Sequence, residues 1–97
     1  MIIDYSPQEG ITLVDPEDFK RFKFRMRQTN VQRPALEHIS FIDDNHVYID
    51  VESVPALPGA PHTETWLQEY RAMVRYASKK GWLDSAQNMI RAHVERI

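Results

Sequence analysis

The amino-acid sequence predicts an α+β fold in which a small antiparallel sheet of three to four strands packs against a C-terminal antiparallel helical hairpin. Three observations carry this expectation. Residues 39–51 alternate apolar and polar side chains on both sides of a turn cluster. Residues 63–80 carry a helical apolar stripe with both ends marked, and residues 84–97 carry a second stripe after a very short connection. A chain of 97 residues fits one domain, spanning 1–97.

From the N-terminal side, Ile11-Thr12-Leu13-Val14 reads as a short strand. Asp15-Pro16-Glu17-Asp18 is a helix-start cluster with proline at the first helical position, which predicts a helical turn from Asp15 to about Arg21. Phe22, Phe24 and Met26 then alternate strictly with Lys23, Arg25 and Arg27, predicting a strand over 22–28 that points its cations to one side. Phe19, Phe22 and Met26 also fit one helical face, so the two periods compete there.

In the central hairpin, a loop of Asp43, Asp44 and Asn45 sets Phe41 opposite Val47 and Ile39 opposite Ile49. The polar face then pairs His38 with Asp50, Ser40 with Tyr48, and Ile42 with His46. The Pro-rich connection 55–61 excludes both helix and central strand and leads to the helices. In the first helix, 63–80, Trp66, Tyr70, Met73, Val74 and Ala77 form the stripe. Thr63 or the Thr65/Gln68 pair caps its start, and Gly81 closes it. In the second, 84–97, Asp84 is the cap, and Ala86, Met89, Ile90, His93, Val94 and Ile97 form the stripe. His93 therefore reads as a core or subunit-contact residue.

Composition excludes several functions. There is no cysteine, so disulfides, thiolate metal sites and cysteine nucleophiles are ruled out. The N-terminal residues lack a basic, then apolar, leader, and no apolar run reaches membrane-spanning length. The expected location is the cytoplasm, without membrane contact. No glycine-rich phosphate loop, zinc spacing, nucleotide fingerprint or nucleophile elbow is present, so no cofactor and no metal is expected.

The formal net charge of −2 conceals blocks. Residues 1–18 are acidic, 19–36 basic, 37–69 acidic and 70–97 mainly basic. Such blocks neutralise one another within one fold or between two copies. Lys23, Arg25, Arg27 and Arg33 form one basic row. Arg71, Arg75 and Lys79 form a second at i, i+4, i+8, where like charges repel unless acids such as Asp43, Asp44 or Glu52 lie near.

The leading functional expectation is a non-catalytic binding or accessory module that self-associates, as a homodimer, and contacts an acidic protein partner through Lys23, Arg25, Arg27, Arg33, Arg71 and Arg75. The first alternative is a small enzyme in which His38, oriented by Asp50 and assisted by Tyr48, does acid/base work on a small polar substrate. The second is nucleic-acid binding through residues 20–33, which the sequence pI of about 6.0 disfavours. A DNA-binding helix-turn-helix is disfavoured by the long first helix and by Gln87 between the helices.

Overall fold

The computed structural model describes residues 1–97 and shows a mixed, seven-stranded sheet covered by one long helix. The elements are β1 (Ile2–Ser6), β2 (Gly10–Val14), β3 (Lys23–Met26), β4 (Ile39–Asp43), β5 (His46–Asp50), a 3-10 helix (Val51–Ala56), α1 (Glu64–Lys79), β6 (Leu83–Asp84) and β7 (Met89–Arg96). The strand order is β2-β1-β3-β7-β5-β4, with β6 paired to β7 off this path. The pairs β1–β3 and β3–β7 are parallel; the others are antiparallel.

The expected fold of three to four antiparallel strands against a helical hairpin is thus corrected. The second helix, 84–97, does not exist: Met89–Arg96 is the central strand of the sheet. Its sequence satisfies two periods. Met89, Ile90, His93 and Val94 follow helical spacing, but Ile90, Ala92 and Val94 also alternate, and these three are the buried ones. The Asp84 side chain accepts the amides of Ala86 and Gln87 as a cap would, yet the turn it stabilises is a hairpin loop between β6 and β7. Asn88 closes that loop in a left-handed conformation, φ 55°.

Two smaller corrections accompany it. Residues 15–21 form turns, including one Asp18-to-Asp15 backbone bond, rather than a helical turn. Pro55 does not exclude helix, because it lies inside the 3-10 helix, whose capping residue Asp50 accepts the Glu52 amide. The strand expected over 22–28 is observed at 23–26, and the hairpin register is observed at Ile39–Ile49, Ser40–Tyr48 and Phe41–Val47; the expected Ile42–His46 pairing is corrected, because an irregularity between Phe41 and Asp43 sets Asp43, not Ile42, opposite His46.

Alternation places Ile3, Leu13, Phe24, Val94, Ala92, Ile90, Ile49, Val47 and Ile39 on one face, all buried. The helix lays Trp66, Tyr70 and Ala77 into the same core of 17 buried residues. Thr63 caps α1 by accepting the Trp66 amide, as its position in the sequence predicts. At the other end, Gly81 (φ 79°) allows Trp82 to donate back to the Ala77 carbonyl. The Tyr70 hydroxyl donates to the Val51 carbonyl at 2.8 Å, and burial raises its pKa, so it stays protonated and bonded. No helix is long and apolar enough to cross a membrane.

The edge of β2 is shielded by the Pro-rich segment, where Pro58 accepts the Leu13 amide at 2.7 Å. The approach is so close that a Cβ on Gly59 would collide with the Leu13 carbonyl, and Gly59 sits at φ 93°. Gly59→Ala should therefore destabilise the protein by about 2 kcal/mol or more. Urea unfolding checks this, and an unchanged midpoint would refute the docking of this segment on the sheet.

Candidate functional site

The face of the sheet away from the helix carries a linked network of ion pairs. Register sets Asp4 of β1, Arg25 of β3 and Glu95 of β7 side by side, a minus-plus-minus row across three strands. Arg25 donates to Asp4 at 2.6 Å, Arg27 donates to the same carboxylate at 2.9 Å, and Arg27 also reaches Glu9 at 3.3 Å. Lys23 pairs with Glu95 at 2.6 Å. Arg33 pairs with Asp44 at 2.7 Å. The first basic block, 19–36, is therefore largely neutralised by acids of the same copy, whereas no cation of the last block, 70–97, forms an ion pair. Four of the six cations expected to meet a partner, Lys23, Arg25, Arg27 and Arg33, are engaged internally.

Asp4 is the hub of this network, with its side chain 4% exposed. Burial opposes its ionisation, but the hydrogen bonds from Arg25 and Arg27 outweigh burial and hold its pKa below the ordinary value. Arg25 Nε is a buried side-chain atom without a partner, a local cost of this arrangement. Arg71 and Arg75 stand on the exposed side of α1 without any ion pair; Asp43, Asp44 and Glu52 do not reach them.

His38 and Asp50 meet as expected, with His38 Nδ1 3.3 Å from Asp50 Oδ2. The pair lies at the sheet margin with the imidazole 56% exposed, and the other Asp50 oxygen caps the 3-10 helix. Tyr48 is two residues away along β5, opposite Ser40 and Arg91.

The main concavity lies elsewhere, where sequence reasoning placed none. An open cavity of ≈ 620 Å³ runs between the second half of α1, the loop before β3, and the α1–β6 turn. Phe19, Phe22, Met73, Tyr76 and Trp82 form its walls, and Lys20 and Arg91 stand at its rim. Two smaller depressions share its residues. One continues past Tyr76 to Glu69 and Ala72, and the other past Trp82 to His46 and His93. Together they make a trough with an apolar middle, an acidic end and a basic end. Trp82 (45% exposed) and Tyr76 (55% exposed) face each other edge-on, with ring centres 6.1 Å apart. Lys20 and Arg91 form no ion pair within the protein.

The sequence did signal parts of this. Met73 and Tyr76 have the adaptable or aromatic character that favours contacts, but in a helical hairpin Trp82 is expected to plug the end between the two helices. Replacing that helix by a strand leaves it open. No group of three or more His, Asp or Glu side chains converges as a metal site. Compared with known protein families, characterised proteins and solved structures, the chain has no significant match to any.

The Asp4 network makes a pH prediction. Because the folded pKa of Asp4 is depressed, its stabilisation is complete above the unfolded pKa and is lost as pH falls through the folded one. Stability should therefore decline below about pH 4. Asp4→Asn should cost about 2 kcal/mol at neutral pH and flatten part of that acid limb, since it leaves two guanidinium groups short of a counter-charge. Denaturant unfolding as a function of pH measures both. An Asp4→Asn variant as stable as the wild type at neutral pH contradicts the hub role.

Proposed function

We propose that this chain is a non-catalytic binding module that docks an acidic, apolar-centred segment of a partner protein in the trough beside α1. The observation that carries the reading is the exposure of Trp82 and Tyr76 beside the half-buried Phe19 and Phe22, in a cavity also lined by two cations that the protein itself leaves unpaired. Exposed tryptophan and tyrosine beside charged residues is the composition that concentrates binding energy at protein interfaces. The trough is open along one side, which suits an extended or helical segment better than an enclosed small molecule. Charge selects the occupant: Lys20 and Arg91, which line the central cavity, favour carboxylates, with Lys80, over the Tyr76 ring, adding to the positive field. Relative to the sequence expectation, the contact surface moves from the paired row at 23–33 to Lys20, Trp82 and Arg91, while Arg71 and Arg75 remain free on the outer side of the helix.

The catalytic alternative has one observation in its favour, the His38–Asp50 contact. A general base also needs a seat for its substrate, and neither the trough nor the depressions joined to it are lined by His38, Asp50 or Tyr48. Binding is the better-supported reading.

Tryptophan fluorescence tests it, because Trp82 is exposed whereas Trp66 is buried. Short peptides combining acidic and aromatic residues should produce a saturable blue shift that weakens with salt. Trp82→Ala should lower affinity roughly thirtyfold, the loss of a binding hot spot. Arg91→Glu should remove most of the salt dependence. Equal binding of basic and acidic peptides overturns the choice of occupant. Dimerisation of the free protein, seen by sedimentation and abolished by Trp82→Ala, would assign the trough to a second copy instead.

A further inference from the structure

His46 and His93 face each other across the β5–β7 pair, at the basic end of the trough. The neighbouring pair is hydrogen-bonded, with Val94 donating to Asn45 at 2.7 Å, so the His46–His93 position is the narrow, non-hydrogen-bonded kind in which side chains lie closest. The ring centres are 5.3 Å apart. With metal–nitrogen bonds of about 2.0–2.1 Å, two imidazoles on adjacent corners of a tetrahedron have ring centres about 5 Å apart. The two rings already stand at a chelating separation. They meet edge-to-face, at 81°, and rotation about the soft terminal torsion of His93 re-aims its nitrogen.

Asp43 supplies the second component. Its carboxylate oxygens lie 3.0 and 3.2 Å from His46 Nδ1. An ionised carboxylate only accepts, so Nδ1 carries the proton and Nε2 presents a lone pair. We infer that His46 and His93 form a binding site for a divalent transition metal such as Zn²⁺, with Asp43 holding His46 in its ligating tautomer and water filling the remaining positions. A phosphate or carboxylate is the competing ligand, given Arg91 in the same depression. It is disfavoured because His46, pinned by Asp43, offers a lone pair rather than an N–H. Of the cations beside the two histidines, Lys23 is neutralised by Glu95, and Arg91, in the same depression, opposes a metal ion. Two protein ligands make a weaker site than three, so micromolar affinity is expected. This inference does not rest on the peptide-docking reading, although Arg91 borders both sites.

Calorimetric titration of the whole chain with Zn²⁺ alone, at neutral pH, tests the inference. The expected result is a single saturable event, reversed by a chelator. His46→Ala and His93→Ala should each abolish it, and Asp43→Asn should weaken it 10- to 100-fold. His38→Ala and His62→Ala should titrate like the wild type. Thermal unfolding without metal verifies that each variant is folded, and His46→Gln and His93→Gln replace any alanine variant that is not. Absence of saturable binding overturns the site, as does binding that survives loss of His93. Saturation by inorganic phosphate but not by Zn²⁺ would identify an anion site and overturn it equally.

Discussion

Strand β7 is the constraint on which the sheet depends. It alone is hydrogen-bonded to both halves: β5 runs along one edge, while β6 and β3 share the other. Without it, the β2-β1-β3 group and the β4–β5 hairpin have no common backbone. Its alternation of Ile90, Ala92 and Val94 inward sets the depth of the core, because the small Ala92 lies between two branched side chains. The division of its second edge between β6 and β3 also explains the trough. The sheet is interrupted there, and Phe22, Trp82 and Arg91 gather at the interruption instead of being covered by a continuous strand.

Charge is arranged around the same strand. Glu95 of β7 and Asp4 of β1 flank the basic strand β3, so the segment richest in cations becomes the most completely neutralised part of the surface. Cations that the fold does not use are informative by contrast. Arg91 and Lys20 border an apolar depression, whereas Arg71 and Arg75 border none. A sequence-level inventory of basic residues cannot make that distinction, since it depends on which acids the sheet register brings alongside.

The hairpin at 39–50 was legible because period-two alternation and turn residues agree on one register, and β3 because Phe22–Arg27 alternates without exception. Helix α1 was legible from its stripe and from Thr63. Residues 89–96 were not, because their apolar positions satisfy two periods and Asp84 makes the same side-chain-to-backbone bonds at a hairpin turn as at a helix start. Ile2–Ser6 was missed as a strand, although an acid embedded among Ile2, Ile3 and Tyr5 is the signature of one whose polar side meets cations. Of the candidate site, the His38–Asp50 contact was readable from register. The trough and the His46–His93 pair were not, since both depend on 89–96 being extended.

The distance in sequence between the partners of β7 has a consequence for biosynthesis. Lys23 and Glu95, joined across β3 and β7, are separated by 72 positions. Long-range, partly parallel pairing of this kind forms slowly, because a large loop must close before any contact rewards it. On the ribosome, everything up to α1 emerges before the strand that unites it, leaving the flanks of Phe24 and Ile49 without a neighbour. A nascent chain at that stage presents unpaired strand edges and apolar surface, the features that make incompletely folded chains prone to aggregate.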